Sequence, residues 1–142
     1  MNIELSNESG YVVDEEEIIS VAQFTMRKMG LHPDCDLAIS IVDEDRMSEL
    51  HEEWMELKGP TDVLSFPMDE MRPHSPDPGI VGDIVLCPQF AEKQAKLTLA
   101  AELHLLTVHG VLHCLGYDHA QAQEERIMFD LQEAILHEWQ AS

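Results

Sequence analysis

The chain has 142 residues, 44% of them hydrophobic and 25% charged, which is enough to build the core of one domain, predicted to span residues 1–142. Its 28 acidic residues face 8 Lys and Arg, and the formal net charge of −20 argues against general nucleic-acid binding and favours basic partners or cations. Three cysteines without CxxC spacing argue against a disulfide framework, and the N-terminus lacks the pattern of a signal peptide, so we expect a cytoplasmic protein without membrane contact.

The first half of the chain alternates between strand patterns and amphipathic helix patterns. Acidic residues crowd the start of the first helix and Gly30 can end it, while Gly59 and Pro60 break the second helix. The predicted elements are a strand at Ile3–Leu5, a helix at Asp14–Met29, a strand at Leu37–Val42 and a helix at Asp45–Leu57.

The second half adds two strand patterns and three helix patterns. Between the two strands, Met71–Gly82 is rich in Pro and Gly and is expected to be a mobile surface loop. The predicted elements are strands at Val63–Phe66 and Asp83–Cys87, and helices at Pro88–Ala95, Thr98–Leu115 and Gln121–Trp139. Interleaved strands and helices predict a single α+β domain, with a small mixed β-sheet of about four strands covered by about five helices.

The segment HGVLHCLGYDH, residues 109–119, has the spacing of a metal site on the central helix. His109 and His113 lie four residues apart, so their rings project from one helix face, and Gly116 permits the reversal that brings His119 back toward them. Three nitrogen ligands leave a fourth position open, as in catalytic zinc sites. The helix is apolar nearly all round, and burying each unpaired imidazole there would cost roughly 1–3 kcal/mol. One shared zinc ion offsets that cost, although an isolated buried histidine is usually a hydrogen-bonded core residue.

The same spacing matches the metzincin peptidase pattern, HExxHxxGxxH, at every fixed position but one. Gly110 stands where those peptidases carry their general-base glutamate. Without that carboxylate, the usual peptide-cleaving mechanism lacks its proton acceptor. The ligand set without the base therefore favours a metal-dependent hydrolase of another substrate over a peptidase.

The segment also closely resembles the HGxxHxxGyDH signature of the YbeY family, the endoribonucleases of ribosomal RNA maturation. A second resemblance is PTDVLSFP at Pro60–Pro67, and weaker ones are Gly82–Ile84 and Glu102, all in the family's order over residues 37–139. The resemblance implies one α+β domain, one zinc ion held by the three histidines, and cleavage of single-stranded RNA. It further implies a role in small-subunit ribosomal RNA maturation and ribosome quality control in the cytoplasm.

Two positions depart from the family's pattern. Relatives commonly carry Asn and Arg in the helix before the TDVLSF segment, where this chain has His51 and Met55. That Arg is associated with phosphate binding or catalysis, so its replacement puts this role in doubt here. Three other cations of the chain could substitute for it: Arg46, Lys58 and Arg72.

Several polar side chains are candidates for the chemistry around the ion. Glu102 is the best-placed carboxylate for proton handling or for orienting a ligand histidine, and an equal alternative is a supporting role paired with a nearby Lys or Arg. Thr61, Asp62 and Ser65 open a strand that the resemblance places along the cleft, where they could contact substrate. Organising the turn after Gly59 is the equal structural alternative for Thr61 and Asp62.

Four further side chains are given mainly structural interpretations. Asp118 could fix the turn beside His119 through its side chain. Trp54 and Phe66 could stack a nucleobase, but residues of this kind are more often core. His104 points away from His109 by the helical period and is expected to be unrelated to the metal. Cys114, where many relatives have Leu, is expected to be core.

The negative charge restricts how such a protein could bind RNA. Four cations could form a local basic surface: Arg27, Lys28, Lys93 and Lys96. We therefore expect weak, salt-sensitive binding of single-stranded or ribosomal RNA, no DNA binding, and delivery by a basic ribosomal protein of the small subunit. Two rival functions remain: a metallohydrolase of another substrate class, such as a peptidase lacking the usual glutamate, and a ribosome-associated factor with a structural zinc.

Overall fold

The computed structural model describes residues 1–55, 59 and 61–142, and these form four strands and five helices. The strands are β1 (Asn2–Asn7), β2 (Asp36–Ile41), β3 (Val63–Pro67) and β4 (Ile80–Leu86). The helices are α1 (Glu15–Lys28), α2 (Glu44–Met55), α3 (Pro88–Gln94), α4 (Leu99–Cys114) and α5 (Ala122–Ala141). The predicted α+β class is confirmed. Leu57, where α2 was expected to end, and the positions of Lys58 and Pro60 lie outside the described residues.

The strands form one mixed sheet in the order β1-β2-β4-β3. β2 runs parallel to both β1 and β4, whereas β3 is antiparallel to β4. β4 begins at Ile80, three residues before the predicted start at Asp83, because Gly82 pairs with Leu37 on one side and Pro67 on the other. The glycine read as part of a loop is therefore a sheet residue, and pairing on both sides outweighs its weak strand propensity.

Side-chain caps mark the start of α1 and of α4, the helix that carries His109 and His113. The carboxylate of Asp14 accepts a hydrogen bond from the Glu17 amide at 3.1 Å and caps α1. Thr98 caps α4 in the predicted way, its hydroxyl accepting from the Ala101 amide at 3.0 Å. Each cap satisfies an amide that would otherwise lack a partner in the first turn, so both helices begin where the sequence indicated.

The sheet separates two hydrophobic clusters. The larger one joins its strands to α1, α4 and α5, and the smaller one lies beneath α2, around Val42, Met47 and Val85. α4 is the central helix and packs against α1, α3, α5, β3 and β4. It passes close to the sheet at Gly110, where a Cβ atom would lie 3.0 Å from Cγ2 of the fully buried Ile84. This contact fixes the height of the helix above the sheet.

The segment between β3 and β4 is anchored to the body of the protein, although it was expected to be mobile. Met71 is buried, with its sulfur 4.0 Å from that of Cys35. The His74 amide donates to the carbonyl of Met29 at 2.8 Å, and the Ile80 amide donates to the Asp69 carboxylate at 2.7 Å. The Pro- and Gly-rich composition correctly indicated a loop, but it carried no information on these long-range contacts.

The apolar segment before the histidines lies inside the protein. α4 buries residues on almost every side, and Cys114 is core as predicted, with 1% of its surface exposed. Across residues 1–55, 59 and 61–142, no single helix is long and apolar enough to cross a membrane, and α3 with α4 meets the length and composition test only as a pair bent by 110°.

We expect none of the thiols to react with a disulfide reagent in the folded protein at about pH 8, since the thiolate is the reactive form. Cys35, Cys87 and Cys114 are all buried and free. Burial raises the pKa of Cys114 to about 12 and also raises that of Cys87. Titration with dithionitrobenzoate before and after adding denaturant checks this. Rapid labelling of any cysteine in the native protein would contradict it.

Candidate metal centre and its cleft

The turn that follows α4 is a Schellman motif, and it carries His119 back along the helix. The Gly116 amide donates to the carbonyl of His113 at 3.0 Å, and the Tyr117 amide donates to that of Leu112 at 3.1 Å. Gly116 has φ of +98°, a left-handed conformation that glycine adopts without steric cost. The predicted glycine reversal is therefore present.

The three predicted ligands meet at one place. The ring centroid of His109 lies 4.8 Å from that of His113 and 5.4 Å from that of His119, and the last two are 5.1 Å apart. One ring nitrogen from each lies within 4.8 Å of the others. A tetrahedral zinc ion bonded at about 2.0–2.1 Å to each nitrogen holds its nitrogen ligands about 3.4 Å apart. Small side-chain rotations that shorten each nitrogen–nitrogen distance by at most about 1.4 Å would therefore be enough to form the site. Asp118 supports the turn as predicted, its carboxylate accepting from the His119 amide at 2.7 Å.

The surroundings favour the neutral form of the two helical histidines. Burial lowers the pKa of His109 and of His113 below the usual histidine value. The neighbouring imidazoles of His109 and His119 lower the pKa of His113 further, because like charges repel. Neutral imidazole is the form that binds a metal, so burial favours the form in which His109 and His113 can act as ligands.

A residue that the sequence analysis did not identify orients the first ligand. The side-chain oxygen of Gln132 on α5 lies 3.0 Å from Nδ1 of His109, and Gln132 is 6% exposed. Because this oxygen accepts, Nδ1 of His109 carries the proton and Nε2 keeps its lone pair for a metal. Gln132 lies one turn after Met128 and three residues before Ile135, both buried. A polar residue on that apolar stripe was a signal that could have been followed.

The three candidates from the start of β3 lie beside the histidines. Thr61, Asp62 and Ser65 line one part of an open cleft, about 370 Å³ in volume, together with His109, His113 and His119, and a second part adjoins it beside α5. Alternation along the strand turns Ser65 toward α4. The carboxylate of Asp62 accepts from the Val63 amide at 2.8 Å and from the Thr61 hydroxyl at 3.3 Å. The predicted turn after Gly59 includes Pro60, which lies outside the described residues, so the turn-organising role of Thr61 and Asp62 stays a prediction.

Glu102 also lies in the cleft but contacts no ligand histidine. Its carboxylate accepts from the side-chain amide of Gln94 at 3.3 Å, and the same amide donates to Asp62. Gln94 thus bridges two carboxylates at the edge of the site. Gln132 orients His109, and the roles proposed for Glu102, orienting a ligand histidine and handling a proton, stay predictions. His104 is separate, as expected: it lies 3.2 Å from Glu17, away from the cleft.

Of the two aromatic residues expected in the core, Phe66 packs against the smaller hydrophobic cluster and Trp54 does not. Trp54 is 62% exposed and meets Phe66 edge to face, with ring centroids 6.4 Å apart. Both line a groove on the α2 face of the sheet, whereas Ser65 faces the histidines. The core interpretation of Trp54 is therefore wrong, because α2 covers only part of that face. Neither ring can stack on a base held at the histidines.

Among the described residues, the cations proposed to replace the family Arg, Arg46 and Arg72, do not line the cleft. Nδ1 of His51 donates to the carbonyl of Gly59 at 2.9 Å. Arg46 pairs with Glu49 at 3.0 Å on the α2 side, and the Arg72 guanidinium lies against the Gly116 turn. The third proposed replacement, Lys58, lies outside the described residues.

The basic surface expected from four cations does not lie at the histidines. Nζ of Lys28 pairs with Glu138 at 2.8 Å, and Nζ of Lys93 pairs with Glu44 at 3.0 Å. Within the described part of the chain, no Lys or Arg lines the cleft on either side of the histidines. The described part of the cleft therefore offers a substrate polar groups and no cationic side chain.

Comparisons with known proteins agree with the resemblance. The family model for Endoribonuclease YbeY matches residues 4–140. An Endoribonuclease YbeY of Mycolicibacterium smegmatis is 57% identical over 150 aligned positions, covering 99% of this chain and 84% of the relative. One from Rhodococcus opacus is 57% identical over 148 positions, covering 98% and 82%. The solution structure of TM1509 from Thermotoga maritima is 26% identical with a TM-score of 0.63, covering 98% of this chain and 92% of that one. The chain therefore belongs to the endoribonuclease YbeY family.

Proposed function

We propose that the chain is a zinc-dependent endoribonuclease that cleaves single-stranded RNA in small-subunit ribosomal RNA maturation and ribosome quality control. The observation that carries the proposal is the convergence of three imidazoles in an open cleft. The name shared by its relatives supports the reaction class. A cytoplasmic location, where ribosomes are assembled in bacteria, belongs to the same proposal.

The donor set fits one zinc ion. His109, His113 and His119 would hold it, and the cleft in front of them leaves room for substrate at a fourth position. When bound, zinc supplies Lewis-acid polarisation of a phosphoryl oxygen and of a water molecule. Gln132 fixes the tautomer of His109, so that the nitrogen facing the cleft is the one free to bind.

The carboxylates at the edge of the cleft can move the proton. Asp62 and Glu102 both line it near His109 and His119. The attacking oxygen, from water or from the RNA 2′-hydroxyl, must lose a proton, and Glu102 is our candidate acceptor. The hydroxyls of Thr61 and Ser65 can donate hydrogen bonds to the substrate.

The test is metal analysis of the purified protein together with cleavage assays. We expect about one zinc per chain and cleavage of single-stranded RNA, with no cleavage of a duplex or of a peptide offered side by side. Activity should disappear with a chelator and return with added zinc. Cleavage of the peptide but not the RNA would overturn the proposal in favour of a metallohydrolase of another class.

The structure weighs against the peptidase alternative. Gly110 is buried and faces the sheet, where a Cβ atom would lie 3.0 Å from Cγ2 of Ile84. We therefore expect that the glutamate that a metzincin carries at this place cannot be accommodated without moving α4 away from β4. The other rival, a ribosome-associated factor with a structural zinc, predicts that the fold fails when a ligand is removed.

Replacing Gln132 with leucine should weaken zinc binding by about 10- to 100-fold, because His109 loses the acceptor that fixes its tautomer. Competition with a chromophoric chelator measures this affinity directly. Gln132→Glu keeps an acceptor oxygen and should retain much of the affinity. Equal affinities for wild type and Gln132→Leu would show that the hydrogen bond plays no part in binding.

RNA binding without a partner should be weak and should fall steeply as salt is raised. The formal net charge is −20, and Lys28 and Lys93 are engaged by acidic side chains. Counterion release makes such binding decline linearly in log affinity against log salt. Fluorescence anisotropy of a labelled single strand across a salt series measures the slope.

We propose that a basic small-subunit ribosomal protein supplies the missing positive charge. Tight binding insensitive to salt would contradict both statements.

A further inference from the structure

We propose that the half of the cleft nearer α5 is a subsite for one unpaired nucleobase of the RNA, with Phe129 as its stacking platform. The inference rests on the proposed function, since it concerns the strand that the histidines would cleave. We call this half the α5 pocket. It has a volume of about 540 Å³ and is lined by residues of β3, α4 and α5.

The α5 pocket is continuous with the part of the cleft along β3. Four residues line both parts: Asp62, Val63, His109 and His119. A strand whose phosphate lies at the histidines must therefore place its neighbouring nucleotides along β3 on one side and in the α5 pocket on the other. The pocket beside the histidines is large enough for a base.

Phe129 presents an aromatic ring at this place. It is 39% exposed, whereas Met128 and Ile135 of the same helix are buried. Its ring centroid is 6.4 Å from that of His119, with an angle of 22° between planes, and 6.4 Å from that of His109. Stacking on an aromatic ring is how single-stranded nucleic acids are commonly bound, and every base offers a face for it.

The rest of the lining selects a base over a phosphate. The apolar walls come from Val63, Leu105 and Leu106. The polar groups at the rim include the carboxylates of Glu102 and Glu133, and no cation lines the pocket in the described part of the chain. Carboxylates repel a phosphate but accept hydrogen bonds from an exocyclic amino group. The pocket therefore suits an amino-bearing base, and it should accept cytosine more readily than uracil, which has a carbonyl at that position.

The test uses a single-stranded oligoribonucleotide in which one nucleotide at a time is replaced by an abasic ribose. In the zinc-loaded wild type, kcat/KM should fall by about 5- to 150-fold for an abasic nucleotide beside the cut. On the intact RNA, Phe129→Ala should have a kcat/KM lower than that of wild type by a similar factor. For this variant, kcat/KM should fall little further when the abasic RNA replaces the intact one. Phe129→Trp should restore the sensitivity. Ile127→Ala is the matched control, because Ile127 is an exposed apolar residue of α5 outside the pocket.

A second comparison exchanges cytosine for uracil at the sensitive position. Wild type should favour cytosine. Glu133→Gln should reduce this preference, because the amide of the new glutamine side chain can also donate a hydrogen bond to the carbonyl of uracil. If Phe129→Ala and the missing base each lower kcat/KM and the two factors multiply when both are present, the two act independently and the subsite proposal is wrong. So would loss of zinc from Phe129→Ala, which would make Phe129 a support for His119 only.

Failure of the proposed function gives a different result. If wild type with zinc cleaves no RNA, equilibrium binding of the same oligonucleotides by anisotropy decides the subsite alone. Weaker binding of the abasic strand by wild type, but not by Phe129→Ala, would support a base site without nuclease activity. Equal binding of both strands by wild type would overturn the subsite.

Discussion

Replacing His113 with alanine is expected to lower single-stranded RNA cleavage by more than about a hundredfold while the protein stays folded. Removing a residue that only supports a metal ligand typically lowers metal affinity or activity by about 10- to 100-fold. His113 is itself one of the three proposed ligands, so its removal should lower activity by more than that. The side chain is partly buried at the edge of the cleft, and α4 is held by its caps and its contacts with the sheet. The fold therefore does not depend on this imidazole.

The measurements are kcat/KM on RNA, zinc content and the circular dichroism melting curve of the same preparation. His137→Ala is the matched control, because His137 is an exposed histidine on α5 that belongs to no cluster found in the described residues. Unfolding of His113→Ala would favour a structural zinc. Full activity in a preparation without zinc would remove the metal from the mechanism altogether.

Replacing Gly110 with glutamate, which completes the metzincin pattern, is expected to unfold the protein and not to create a peptidase. The new side chain would enter the contact between α4 and β4, where a Cβ atom alone would lie 3.0 Å from Ile84. Overpacking costs about 1–3 kcal/mol, and burying an unpaired carboxylate adds several more. Most domains have only about 5–15 kcal/mol of stability in total.

A graded series separates the two causes. Gly110→Ala adds only the Cβ atom and should cost about 1 kcal/mol net, since the gain in helix propensity offsets part of the overpacking. The double variant Gly110→Ala with Ile84→Val removes a methylene at the contact and should recover stability relative to Gly110→Ala. Urea denaturation measures each step. A folded Gly110→Glu variant with peptidase activity would mean that α4 can rotate away from β4, contrary to the packing described above.

The elements and the metal cluster were predictable because their signals are local. Caps at Asp14 and Thr98, the stop at Gly116 and the four-residue spacing of His109 and His113 all act within one or two turns of helix. Such interactions can be inferred from the sequence because both partners are close in the chain and no distant residue is needed to form them.

The residues that surround the cluster were not predictable in the same way. Gln132 reaches His109 across 23 positions of sequence, and Phe129 comes to the histidines only when α5 packs on α4. Trp54 follows the apolar stripe of α2, yet that helix covers too little of the sheet to bury it. Periodicity predicts which face of a helix is apolar, but the arrangement of neighbouring elements decides how much of that face is covered.

The unequal burial of the three ligands bears on how an ion would enter and leave. His109 and His113 stand on a central, tightly packed helix, whereas His119 is exposed beyond the Gly116 turn. We expect the exposed imidazole of His119 to leave and return to an ion more easily than the helical pair, so it should control the exchange of zinc with solvent. Changes in the turn should therefore alter how fast zinc is lost to a chelator more than they alter the shape of the loaded site.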